Sequence, residues 1–252
     1  LALLVFFASF VGLTLKAINN AFEAFAKVTS VSVIIPMSDK IIFGFISSCL
    51  ICINNFEKSW KIYYNEMENL SKRLMSVFAI ALKLPSDYFT KFIDNPISAL
   101  RALNYPLIQK EVLPKQQRAG AHTDYGSLTI LLPLDSIQGL QIKNSNNRWV
   151  NVPNVKNSFI INIGDLMALW TNDRWTSTLH RVIPINRNKD RKTLVFFHQP
   201  NWDAKIKCLS SCVGEGSKYS EVFSGPYLMK KFKLFLINYK FLILNIFIIT
   251  LF

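Results

Sequence analysis

The sequence predicts a mainly β protein with flanking helices, an antiparallel sandwich or jelly roll, on three observations. Short β-type runs separated by turn residues fill the chain after Leu100. No helical periodicity separates one run from the next. The one long amphipathic pattern comes before them, where Tyr63, Tyr64, Met67, Leu70, Leu74, Val77, Phe78 and Ala81 recur at three and four with Glu and Lys between.

Taken in order, that pattern is a packing helix from Trp60 that Pro85 ends, and a short second helix follows at Tyr88 to Ile93. The strand candidates are Leu128 to Leu132, Leu140 to Ile142, Trp149 to Val152, Phe159 to Ile163, His180 to Ile185 and Thr193 to Phe197. Gly126, Gly139, Pro153, Gly164 and the cluster Asn186 to Asp190 punctuate them. Strands of this length and spacing close into a sandwich or jelly roll, whose mouth lets side chains from different strands converge. The domain reading is an apolar, divergent segment at 1–55, a helical support region at 56–99, the jelly-roll domain at 100–232 and an apolar tail at 233–252.

The 252 residues are half apolar, with the excess concentrated at the two ends. The chain opens on Leu1 and is read as a fragment or an imperfect gene model. Leu1 to Leu15 lacks the basic leader and cleavage site of a signal peptide and is short for a membrane span. Leu234 to Phe252 is broken only by Lys240 and follows three lysines, so it reads either as a membrane anchor or as an extension foreign to the domain. The expected location is cytoplasmic, with membrane association through that tail as the alternative.

The formal charge is +13, but the basic residues are scattered: Lys58, Lys61, Lys72, Arg73 and Lys83 along the helix, and Arg187, Lys189 and Lys192 around a turn. This disfavours nucleic acid and favours attraction of anionic small substrates. Cys49, Cys52, Cys208 and Cys212 form two close pairs with zinc-like spacing. The first pair sits in an apolar stretch without a polar knuckle, so buried reduced thiols are expected.

Chemistry enters with the histidines, of which there are three. In Gly120-Ala121-His122-Thr123-Asp124-Tyr125-Gly126, His122 and Asp124 stand two apart and face one side of an extended chain. His180, 56 residues beyond Asp124, opens another strand candidate. Two imidazoles and a carboxylate on one face of an octahedral ion leave three positions open, the arrangement of non-haem iron(II) oxygenases. Eleven residues after His180, Arg191 and Thr193 share a strand face and offer a guanidinium and a hydroxyl to a carboxylate. His198 reads as structural or exposed, Asp165 as a turn residue, and Trp149, Trp170, Trp175, Phe196 and Phe197 as mostly core, with one or two lining a pocket.

With these stretches, together with Leu100-Arg101-Ala102-Leu103-Asn104-Tyr105-Pro106, Gly139-Leu140-Gln141, Asn162-Ile163-Gly164-Asp165 and Pro200-Asn201-Trp202-Asp203-Ala204, residues 56–232 resemble the plant-type iron/ascorbate-dependent oxidoreductases of the isopenicillin N synthase-like 2-oxoglutarate dioxygenase family. The resemblance implies a double-stranded β-helix with His122, Asp124 and His180 holding Fe(II). It implies that Arg191 and Thr193, helped by Tyr105, bind the distal carboxylate of 2-oxoglutarate, and that no catalytic side chain is needed beyond the metal centre. O2 is the second co-substrate and ascorbate an optional reductant. The expected activity is hydroxylation or desaturation of a small organic substrate with release of succinate and CO2, in a chain whose oligomeric state is open and for which a monomer is favoured. Thr193 stands where the family usually has Ser, and the N-terminal part of the family's fold is not recognisable in residues 1–55. That gap keeps a second reading in play, an inactive jelly roll retained for metal binding or interaction. A third, a relative using ascorbate or substrate as reductant, is opposed by Arg191 and Thr193.

Overall fold

The computed structural model describes strands β1 (Leu3–Phe7) and β2 (Val33–Pro36) as backbone. It also describes residues 56–234, except 109–110, 135–138, 154, 156 and 186–189. Cys49, Cys52, the turn at 186–189 and the apolar tail beyond 234 lie outside the described residues. No helix among the described residues is long and apolar enough to cross a membrane. Leu3–Phe7, part of the apolar run at the start, is a strand.

Helix α1 (Phe56–Ala81) carries the expected amphipathic stripe. Trp60, Tyr63, Tyr64, Met67, Leu74, Met75 and Phe78 are buried, while Val77, expected on the same face, is exposed. The helix stops four residues before Pro85. Lys83 takes φ 60°, its N–H donates to the Ile80 carbonyl, and the Leu84 N–H donates to that of Ala79. This pair of bonds is a Schellman ending, so backbone capping terminates the helix before proline can. The second helix shrinks to a 3-10 turn at Thr90–Phe92.

Ten more strands follow: β3 (Ala99–Tyr105), β4 (Ala119–His122), β5 (Leu128–Pro133), β6 (Leu140–Lys143), β7 (Trp149–Asn151), β8 (Ser158–Ile163), β9 (His180–Val182), β10 (Arg191–His198), β11 (Lys205–Ile206) and β12 (Val222–Phe223). The β9 strand is shorter than expected, although the Ile183 N–H still donates to the Gly139 carbonyl, one step beyond the Leu140–Val182 pair. Strands β3 and β4 were not legible as strands, and a short helix α2 (Asp165–Trp170) interrupts the run of strands. Asp165 therefore opens a helix, with Gly164 as its cap, where a turn was expected.

All pairings are antiparallel. One sheet runs β1-β8-β5-β10-β3-β2, a second runs β4-β9-β6-β7, and β11-β12 form a small ribbon. The six-stranded sheet is two-faced, as the two-residue period of a strand requires. Leu100, Ala102, Leu128, Ile130, Phe159, Ile161, Leu194 and Phe196 form one core with α1. The intervening residues, among them Leu103, Tyr105, Thr129, Leu131, Ile160, Asn162, Thr193 and Val195, line a pocket that also takes Leu140, Ile142, His180 and Val182 from the four-stranded sheet. The result is the double-sheeted jelly roll the strand spacing called for, with its functional side chains between the sheets.

Candidate metal centre and pocket

His122 ends β4 and His180 begins β9, and the two residues are direct partners in the ladder. Their rings lie 4.3 Å apart between centroids. Asp124 follows in the loop leading to β5, and its Oδ1 lies 3.9 Å from His122 Nε2 and 3.8 Å from His180 Nε2. One donor atom from each of the three residues falls within 4.8 Å of the others, and no other such group of metal-ligating side chains occurs among the described residues.

The orientation of each donor is set by a neighbour. His122 Nδ1 lies 2.7 Å from the Gly120 carbonyl and His180 Nδ1 2.8 Å from that of Thr178. A carbonyl only accepts, so in both rings Nδ1 carries the proton and Nε2 turns its lone pair toward Asp124. Burial lowers the His180 pKa, Asp124 opposes that shift and His122 adds to it, which favours the neutral, ligating imidazole. The Asn162 amide donates to Asp124 Oδ2 at 2.8 Å, leaving Oδ1 facing the imidazoles. The loop itself is laced to the start of α2: the Asp165 N–H donates to the Asp124 carbonyl at 2.8 Å and the Leu166 N–H to the Gly126 carbonyl at 2.9 Å. Gly126 and Gly164 permit that approach, since a Cβ on Gly126 would strike the His198 carbonyl and one on Gly164 the Gly126 carbonyl.

Arg191, Thr193 and Tyr105 line the same pocket, of about 580 Å³ and partly open to solvent. Arg191 pairs with Tyr105 across β10 and β3, its guanidinium 5.2 Å from the Tyr105 ring centroid. Burial raises the Tyr105 pKa, with Arg191 and Arg118 pulling the other way, so the phenol stays protonated and able to donate. The Thr193 hydroxyl is buried and has no hydrogen-bond partner. Residues that hold an acidic ligand leave such an unmet group when the ligand is set aside.

His198 is a structural residue, buried with its Nδ1 2.6 Å from the Ser127 hydroxyl. Trp170 and Phe196 are core, Phe197 lines the pocket, and Cys208 and Cys212 are free thiols. The sequence reading assigned no role to Asn162, whose signal was a lone amide in an apolar strand.

Two imidazoles at facing strand ends and one carboxylate in the adjoining loop form a group that could hold a single metal ion, the donor set of the mononuclear non-haem iron class. Residues 97–200 match the model of the 2OG-Fe(II) oxygenase superfamily, and this stretch carries that domain. It is 32% identical over 71% of its length to homoarginine-6-hydroxylase 2-ODD-233 of Oryza sativa subsp. japonica, covering 56% of that protein. To the 2-oxoglutarate-Fe(II) type oxidoreductase hxnY of Emericella nidulans it is 34% identical over 66% of its length, covering 48% of that protein. The chain thus spans about half the length of the curated relatives it matches. In fold it is similar to a full-length Neurospora crassa protein crystallised in complex with alpha-KG, with a TM-score of 0.80 at 24% identity over 91% of this chain and 86% of that one. For JOX2 in complex with 2OG, Fe and JA the TM-score is 0.74 at 23% identity, over 89% of this chain and 76% of that one.

Proposed function

We propose that this chain is a 2-oxoglutarate- and Fe(II)-dependent dioxygenase that hydroxylates or desaturates a small organic molecule, releasing succinate and CO2. The observation that carries the reading is the convergence of His122, Asp124 and His180 at the end of a pocket whose inner face presents Arg191, Thr193 and Tyr105. Iron(II) bound by the three ligands, with 2-oxoglutarate and O2, supplies an oxidant driven by decarboxylation of the keto acid.

The rest is the work of this chain's residues. His122 and His180 present preset Nε2 donors, and Asn162 holds Asp124 in the one orientation that points Oδ1 at them. Arg191 supplies charge to the keto acid's distal carboxylate, and the Thr193 hydroxyl and Tyr105 phenol add hydrogen bonds. Leu103, Leu131, Ile160 and Val195 line the space between, keeping water from the middle of the pocket. No observation favours the inactive jelly roll.

The test is succinate production from 2-oxoglutarate with Fe(II) and O2, in the native chain and in His180→Ala. Activity is expected in the first and at least a hundredfold less in the second, and equal rates would end the enzyme reading. Arg191→Met is expected to raise the KM for 2-oxoglutarate by roughly tenfold or more, the worth of a charge-assisted hydrogen bond. The names of the matched relatives run from homoarginine-6-hydroxylase to clavatol oxidase, so the family does not select the substrate.

A further inference from the structure

We propose that Arg101 is the substrate-recognising residue of this site and that the substrate it selects is a small carboxylic acid; this rests on the oxygenase reading above. Arg101 is the third residue of β3, on the face that also carries Leu103 and Tyr105, and its ladder partner is Val195. It therefore points between the sheets. Tyr105, four positions further along β3, pairs with Arg191. At about 3.3 Å per residue, the two arginines stand roughly 13 Å apart along the strand direction.

Arg191 serves the far end of the keto acid, whereas Arg101 lies at the other end, where burial disfavours its charge and the Asp124 carboxylate supports it. The Arg101 guanidinium sits over the Phe197 ring, 5.1 Å from its centroid. Its Nε is buried without a hydrogen-bond partner, and it forms no hydrogen bond or ion pair with any described residue. Asp124 does not meet that need, because Oδ2 is taken by Asn162 and Oδ1 faces the imidazoles.

The charges point the same way. Iron(II), the doubly negative keto acid, Asp124 and Arg191 cancel one another. Arg101 is then a surplus, partly desolvated positive charge beside Phe197 of the pocket lining, a costly arrangement unless an anion arrives to pair with it. The stack on Phe197 holds the planar fork in place, and that fork fits a carboxylate with two parallel N–H bonds. A substrate clamped there has its carboxylate beside the metal loop and the adjoining carbon chain free to lie toward the metal.

The experiment uses the full chain with Fe(II), saturating 2-oxoglutarate and no O2, following the visible charge-transfer band of the iron and keto acid. Benzoate, phenylacetate and hexanoate are titrated as probes, each against its neutral amide. At least one acid is expected to perturb the band with roughly tenfold or better preference over its amide. In Arg101→Met that preference disappears while the affinity for 2-oxoglutarate stays within about twofold, and Arg101→Lys recovers part of it. The retained keto-acid binding also shows that the variant is folded. The proposal is overturned if no acid outperforms its amide, or if Arg101→Met weakens 2-oxoglutarate more than the probes, which would make Arg101 part of the keto-acid site. Absence of the band in the native chain would remove the oxygenase reading, and this one with it.

Discussion

At the scale of single residues, the polar groups of this protein divide by the company they keep. Asp124, His122 and His180 are each aligned by a hydrogen bond that leaves one donor atom facing the common point, whereas His198 is bonded to Ser127 beneath the sheet. Burial, with a smaller push from Lys72, lowers the His198 pKa from 6.5 to about 3. The unfolded chain therefore takes up a proton near pH 6.5 that the folded chain refuses until about pH 3. Stability from this residue is fully present above pH 6.5 and is lost as the pH falls toward 3. Between pH 7 and pH 5 the loss is about 2 kcal/mol. Denaturant unfolding at both pH values should show His198→Asn losing about 2 kcal/mol less than the native chain over that interval; an equal loss in the two would mean His198 is not buried neutral.

At the scale of elements, what could be read from the chain depended on whether an element served the core or the site. Strands β5, β8 and β10 and helix α1 are rich in large apolar residues because each buries a face in the α1 core, and all four were legible. The β3 strand interrupts its apolar alternation with Arg101, Asn104 and Tyr105, and two of these face the pocket or lie beside it. The β4 strand, Ala-Gly-Ala-His, has almost nothing to bury and exists to deliver His122. Helix α2 is six residues long, too short for a period to show, and β1 and β2 lie in sequence without regular alternation. The cluster of His122, Asp124 and His180 was legible because histidine is scarce here; Asn162 was not, since its bond to Asp124 appears only in the fold. Glycines, read as punctuation, turn out to mark close approach. Gly164→Ala would drive a methyl into the Gly126 carbonyl at the point where α2 grips the metal loop, and should cost about 1–3 kcal/mol. Gly120→Ala meets nothing within 4 Å. It should stay within about 0.5 kcal/mol of the native chain in the same urea titration. Equal effects would show that packing at Gly164 does not hold the loop.

At the scale of the whole molecule, the three side chains of the metal centre draw on both sheets, which are also tied by the Thr178 N–H, just ahead of β9, donating to the Ile163 carbonyl of β8. His122 and His180 belong to the four-stranded sheet, while Asp124 lies on the passage to β5 in the six-stranded one and is held by Asn162 of β8. Residues 56 apart in sequence must be brought together before a metal can bind, so the ion recognises the folded chain and not the unfolded one. A divalent ion at about a hundred times its dissociation constant would then stabilise the fold by about 2.7 kcal/mol. For a chain of this size that is about 5–10 °C in Tm. Mn(II) is a suitable probe because it does not oxidise during a melt. The native chain should gain that increment on adding Mn(II), gain more when 2-oxoglutarate follows, and return to its starting Tm with EDTA. His180→Ala should melt at the same temperature with and without the ion. A native chain indifferent to Mn(II), or a His180→Ala variant stabilised as strongly, would mean that the two sheets are not joined through these three side chains.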